Sequence, residues 1–214
     1  MTKKIKLTDK SKVFFTSDIH FFHTNIIRYC KRPFKTAEEM NEVLVSNWNE
    51  KIPQDAEVFV VGDVSFGKLE ETVKIIRRLN GRKHLVIGNH DEHFLQQPSF
   101  RACFETIADI LRLVVEDDET SSGKMDLFLC HYAMRVWNKS HHGSINIYGH
   151  SHSTLPPNDF QLDVGVDGNN FEPYSYDDVL VKVWDNLFVD GKISGVRGNL
   201  IQFLDKLKAS LVQW

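Results

Sequence analysis

The sequence predicts an α/β fold, and three observations carry that prediction. Short apolar runs recur along the chain: Val13-Phe14-Phe15, Val58-Phe59-Val60-Val61, Leu85-Val86-Ile87, Leu127-Phe128-Leu129 and Ile145-Asn146-Ile147. Each has the length and β-forming composition of a buried strand. Helically spaced segments separate the first three runs, giving the strand-helix-strand alternation of an α/β domain. Finally, nearly every run leads into residues suited to metals: Asp18-Ile-His20, Gly62-Asp63, Gly88-Asn-His-Asp91, His131 and Gly149-His-Ser-His152. If the strands share a sandwich, their ends converge on one pocket of carboxylate, imidazole and amide groups, which suits two divalent cations.

The elements follow in order. After the first strand, Phe21 to Phe34 is a mixed aromatic and basic segment ending at Arg32-Pro33, where proline disfavours helix in the residue before it; a short helix and loop are expected there. Thr36-Ala-Glu-Glu39 is a capping box leading into Met40, Val43, Leu44 and Trp48, an amphipathic helix that ends before Pro53. Leu69, Val73, Ile76 and Leu79 recur at helical spacing from Lys68 to Asn80, and Asn80-Gly81 is a left-handed stop. The second half is richer in strand. Ile107 to Val115 and Met125 to Cys130 read as strands around the acidic turn Asp117 to Lys124, and Phe160, Leu162, Val164 and Val166 alternate as in a half-buried strand. Ser175 to Leu187 is expected to be helical with Tyr176, Val179, Leu180, Val183 and Leu187 inward. A last helix carries the stripe Leu200, Leu204, Leu207, Leu211 and Trp214.

At 214 residues with 42% hydrophobic content, the chain suits one domain spanning 1–214. A formal net charge of -3 gives no global drive toward nucleic acid or anionic membrane, although Arg28, Lys31, Arg32 and Lys35 form a local basic patch. Cys30, Cys103 and Cys130 lack CxxC spacing, so reduced thiols in a cytoplasmic protein are expected rather than disulfides or thiolate zinc. The basic N-terminus is not followed by a signal-type apolar run, and no stretch approaches the ~18 apolar residues of a membrane span.

The clusters differ in weight. Asp18 and His20 fall on one side if the backbone stays extended, and His150 and His152 share that spacing. Gly62-Asp63 alone reads equally as a turn or capping aspartate. Gly88-Asn-His-Asp91 is rarer, arising by chance in a chain of this length on the order of once in a thousand.

In this order the clusters resemble the calcineurin-like metallophosphoesterases from Asp18 to His152, and the stretch from Asp18 to Phe34 resembles small bacterial and phage members. The resemblance implies a four-layer α/β/β/α sandwich of two mixed β-sheets flanked by helices, with a dinuclear metal centre at the strand ends. It implies Asp18, His20 and His152 as ligands of one metal and Asn89, His131 and His150 as ligands of the other, with Asp63 as the bridging carboxylate. It implies His90 as the histidine that contacts the scissile phosphate and protonates the leaving oxygen, and Asp91 as the residue orienting it. His23, Arg32 and Asn89 are expected to touch substrate phosphate. Mixed oxygen and imidazole donors suit manganese, the expected ion, with iron, zinc or magnesium as alternatives.

The expected reaction is attack of a metal-bridging hydroxide at phosphorus, with His90 assisting the alkoxide. A small phosphate ester or nucleotide is the expected partner, a phosphodiester such as a 2′,3′-cyclic nucleotide above a phosphomonoester. Extensive nucleic-acid binding is not expected, which restricts a nuclease reading to strand ends; a non-catalytic scaffold is the remaining alternative. His84 and His93 are expected to be structural or exposed, His141 and His142 to be a solvated loop pair or to line the pocket mouth, and Cys130 to turn away from the metals.

Overall fold

The computed structural model describes residues 2–120, 122–158 and 160–189. Among them two five-stranded mixed sheets lie face to face, flanked by helices, which is the α/β/β/α class the sequence implies. The chain opens with β1 (Lys3–Leu7), β2 (Val13–Thr16), α1 (Thr24–Tyr29), α2 (Ala37–Lys51), β3 (Glu57–Val60), α3 (Leu69–Ile76) and β4 (Arg82–Val86). It continues through α4 (Pro98–Arg101), β5 (Thr106–Ala108), β6 (Ile110–Glu116), β7 (Lys124–Cys130), β8 (Ile145–Tyr148), β9 (Gln161–Asp163), β10 (Tyr174–Ser175) and α5 (Tyr176–Val189). One sheet has the order β10-β2-β3-β4-β5 and the other β1-β6-β7-β8-β9.

Strand alternation divides each run between two apolar layers. Val13, Phe15, Phe59 and Val61 meet Leu111, Leu113, Leu127, Leu129, Ile145 and Ile147 between the sheets. Phe14, Val58, Val60 and Leu85 turn the other way onto Met40, Leu44 and Trp48 of α2 and Val73 and Ile76 of α3. Truncating a fully buried ring such as Phe59 costs about 3–5 kcal/mol. Tyr176, Val179, Leu180 and Val183 of α5 are buried, as expected, and belong to the same apolar cluster as the inter-sheet residues.

The capping of α2 is close to the predicted box: Thr36 Oγ1 accepts from the Glu39 amide at 3.1 Å, while Glu39 Oε2 accepts from Lys35 N at 2.7 Å, one residue before the cap. Three expected segments are corrected. Ile107 to Val115 is not one strand, because the chain leaves the first sheet at Ala108 and enters the second at Ile110. The alternating run from Phe160 is a strand only over Gln161–Asp163, since Val166–Gly168 coils into a single 3-10 turn. The third helix stops at Ile76, although Gly81 does take the left-handed backbone at φ +82°. The amphipathic β1, with three lysines in five residues, was missed as a strand. The side chain of Leu187 and the stripe Leu200 to Trp214 lie outside the described residues.

What the topology achieves is a shared rim. Strands β2, β3 and β4 run parallel, as do β7 and β8. Their C-terminal ends deliver Asp18 and His20, Asp63, Asn89 and His90, His131, and His150 and His152.

Candidate metal centre

The loops at this rim are held at unusually close range. At Gly149 a Cβ would fall 1.9 Å from Ser17 Oγ and 2.5 Å from Asp18 Oδ2, and at Gly88 one would fall 2.3 Å from Asp63 Oδ1. The glycines preceding the ligand motifs are therefore there for approach, so that loops from different strands touch. His150 N donates to Asp18 Oδ2 at 2.8 Å, and His131 Nδ1 lies 2.7 Å from the Val61 carbonyl, tying the two sheets together across the site.

Asp18 and His20 do point into one place, but not through an extended backbone. Both take left-handed conformations, at φ 54° and 55°, and Asp63, His150 and His152 do the same at 58°, 66° and 48°. Each such residue costs roughly 1–2 kcal/mol relative to a right-handed one, and these five are among eleven left-handed non-glycine residues described.

Two donor groups result: Asp18, His20 and His152 in one, and Asp63, His131 and His150 in the other. Asp63 faces both, with Oδ2 3.7 Å from His20 Nε2 and Oδ1 3.6 Å from His131 Nε2. The arrangement fits cations. Asp18 Oδ1 and both ring nitrogens of His20 are buried without a hydrogen-bond partner, a costly state for groups that would otherwise be solvated. Because a carbonyl only accepts, Nδ1 of His131 carries the proton given to Val61, so in the neutral ring the Nε2 lone pair meets Asn89 Oδ1 at 3.1 Å. Burial pushes Asp18 up to about 6 against the pull of His152 and His131, and burial lowers His20 and His150. Neutral imidazoles are the ligand form.

Behind the first group stands a pair the sequence reading did not assemble. Arg32 is buried, its guanidinium bidentate on Asp167 through Nε to Oδ1 at 2.7 Å and Nη2 to Oδ2 at 2.8 Å. The same guanidinium donates to the carbonyls of Asp18 at 2.8 Å and Ile19 at 3.0 Å. Asp167 Oδ2 also accepts from His152 Nδ1 at 2.8 Å, which directs Nε2 toward Asp18. Burial opposes charge on both partners, but the bond to His152 and then Arg32 keeps Asp167 below its ordinary range, and the bond to Asp167 and charge of Asp18 raise His152. Arg32 was expected to touch substrate; its donors are instead spent inside the fold, on Asp167 and the carbonyls of Asp18 and Ile19. Asp167 was missed outright. It ends the apolar run Val164-Gly-Val166, and the need of each ligating histidine for a second partner was the signal that could have found it.

Asp91 is also corrected. Its carboxylate accepts from Asp63 N at 3.0 Å, Gly88 N at 2.9 Å and Val64 N at 3.0 Å, so it fastens the Asp63 loop rather than the His90 ring. Burial raises its pKa against those amides. His90 belongs to neither donor group: its amide donates to Asp63 Oδ1 at 3.0 Å, while its side chain is 45% exposed with Nε2 4.0 Å from Asp63 Oδ2. His23 stacks on Phe66, with centroids 3.8 Å apart, beside His20 at 5.4 Å. Asn89 is exposed at the rim.

Of the remaining histidines, His84 is buried on Glu57 at 2.8 Å, His93 is exposed, and His141 and His142 are exposed in a 3-10 turn. Cys130 ends β7 half-buried, out of register with the core-facing Leu127 and Leu129. Cys30 approaches His152 and Asp167, but burial pushes its thiol up to about 11, and those two partners already bond each other. No helix among the described residues is long and apolar enough to cross a membrane.

An uncharacterized protein of Methanocaldococcus jannaschii is 41% identical over 83 residues, covering 38% of this chain and 47% of that protein. The chain thus aligns with less than half of that relative's length. The Gene 66 protein of Mycobacterium phage L5 is 26% identical over 165 residues, covering 68% of this chain and 79% of its own. A solved protein of unknown function from Aquifex aeolicus shares the fold with a TM-score of 0.56 at 22% identity, covering 82% of this chain and 98% of that one. The family description "Calcineurin-like phosphoesterase" matches residues 11–168, a span that takes in Asp18 through Asp167 and both donor groups. The chain belongs to the calcineurin-like phosphoesterases, a family of metal-dependent phosphoester hydrolases.

Proposed function

We propose that the chain hydrolyses small phosphodiesters of the nucleotide type, 2′,3′-cyclic nucleotides included, using two divalent cations, with manganese the expected ion. The observation that carries the reading is Asp63, whose two oxygens face different donor groups at 3.7 and 3.6 Å. Asp18, His20 and His152 would hold one cation and Asn89, His131 and His150 the other, with Asp63 common to both. Such a pair lowers the pKa of an attacking water and neutralises charge on the phosphate.

The chain's own residues supply the rest. His90, left over by both groups and open to solvent, is placed to give a proton to the departing oxygen, which matters most for a poor alkoxide leaving group. Asp91 holds Asp63 in place through the amides on either side of it. His23 is proposed to contact substrate from the wall of the site. Three free cysteines support a reducing, cytoplasmic setting, and one domain carries the whole site.

A panel of mono-, di-, cyclic and dinucleotide esters, run with manganese, iron, zinc and magnesium, tests the proposal. Manganese-dependent diester hydrolysis that falls ~10²–10⁴-fold in His90→Ala is expected. Preference for monoesters would move the chain to the phosphatases, and metal-loaded protein inactive on the whole panel would overturn the catalytic reading in favour of a scaffold.

A further inference from the structure

Among the described residues, the exposed large aromatic rings are Tyr29, Phe66 and Tyr132, at 61%, 38% and 48%. Scattered apolar rings on a surface are ordinary, but these are not scattered: each contacts a histidine of the site. Tyr132 lies 4.8 Å from His150 and 5.1 Å from His131, beside the second donor group. The other two belong to a continuous file. From His90 the next ring is Phe66 at 4.6 Å, then His23 stacked on Phe66 at 3.8 Å, then Tyr29 at 6.4 Å from His23. The Arg28 guanidinium sits 5.3 Å over the Tyr29 ring, and Lys31 is exposed just beyond. Within the file His23 Nδ1 is buried without a partner.

We propose that this file is a nucleoside-binding subsite, in which a nucleobase of the substrate lies against Tyr29 and the His23–Phe66 stack while its phosphate reaches His90. The inference deepens the hydrolytic reading above and rests on it. Rings leading outward from an ester-cleaving centre offer π-faces to any base, and cations at the outer end suit the phosphates that flank one. An aliphatic ester has no π-face to stack on these rings. The sequence showed a mixed aromatic and basic segment from Phe21 to Phe34 with a basic patch at Arg28, Lys31, Arg32 and Lys35; the fold buries Arg32 and leaves Arg28 beside Tyr29, turning the patch into an aromatic and cationic rim.

Tyr29 is the residue to change, because its exposure makes misfolding a small concern. Two measurements are needed. The first is selectivity, kcat/KM for a 2′,3′-cyclic nucleotide or dinucleotide over that for a glycerol phosphodiester. It is expected to fall about tenfold in Tyr29→Ala, the loss of one base–ring stack, and to recover in Tyr29→Trp. The second is calorimetric binding of adenosine monophosphate, which needs no turnover and is expected to weaken by the same factor. Hydrolysis with unaltered selectivity and unaltered nucleotide binding in Tyr29→Ala would overturn the subsite while leaving the hydrolytic reading intact. Nucleotide binding that weakens in Tyr29→Ala, in a protein that cleaves no ester, would retain the subsite and overturn the hydrolytic reading.

Discussion

The two halves of the candidate metal centre are enclosed very differently. Asp18 and His20 are almost wholly buried, at 0% and 2% exposure, and His152 is gripped from behind by Asp167 and Arg32. In the other half His131 is buried and bonded to a carbonyl, but Asn89 and His150 are exposed and the neighbouring ring, Tyr132, stands in solvent. One half is a socket fixed before any ligand arrives; the other is an open shelf. A preorganised donor set loses less side-chain entropy on binding, so on the proposed cation assignment the first half should retain its ion and the second exchange with water and substrate.

Asp63→Asn is expected to have the largest effect, because it damages both halves at once. Losing the shared carboxylate should lower kcat/KM by at least about a thousandfold, or roughly 4 kcal/mol. Kinetics with parallel metal analysis checks it, and unaltered activity would mean that the carboxylate does not join the two halves. Next comes Arg32→Ala, which attacks the socket alone. Removing one partner of a buried ion pair costs about 3–5 kcal/mol, measurable by urea denaturation, whereas Tyr132→Ala on the open side should change stability by only about 0.5 kcal/mol.

The difference between the halves also marks what a sequence discloses. The residues of the two donor groups were legible because nearly all sit in short local patterns at the ends of apolar runs, as in Gly62-Asp63 and Gly149-His-Ser-His152. Their backbone was not: the spacing of Asp18 and His20 suggested an extended strand, whereas positive φ at both is imposed by close loop packing that local pattern does not contain. Arg32 and Asp167 stand 135 positions apart, and their pairing exists only once β9 and the turn after it lie beside the loop that follows β2. The split of Ile107 to Val115 between two sheets was hidden for a similar reason. The change of sheet falls at Asp109, and one charged residue between Ile107-Ala108 and Ile110-Leu111 is no stronger a break than Arg112, which lies inside β6.

Asp167→Asn sharpens the comparison further. The amide keeps the shape but weakens the acceptor on His152 Nδ1 and leaves Arg32 without its counter-charge. Affinity for the cation at Asp18, His20 and His152 should fall about 10–100-fold, with the second site little changed. Calorimetric titration with manganese reads the two sites separately, and a thermal melt distinguishes this from general unfolding. Equal weakening of both sites would show that the clamp supports the fold rather than one half of the centre.

The smallest expected effect needs no mutation. If the halves differ as their burial suggests, a chelator should strip the protein in two steps, the shelf before the socket, separated by roughly tenfold in chelator concentration, the lower end of what ligand-orienting hydrogen bonds contribute. Tyr132 fluorescence alone would be ambiguous among five tyrosines and four tryptophans, so histidine ring NMR of the protein loaded with diamagnetic zinc is the better probe. His131 and His150 signals should move in the first step, and His20 and His152 in the second. The order matters more than the gap, because burial and hydrogen bonding both favour the same half. A reversed order would mean that strain at Asp18, His20 and His152, all three left-handed, outweighs the clamp behind them. A single step would mean that Asp63 couples the halves so tightly that neither cation is held without the other.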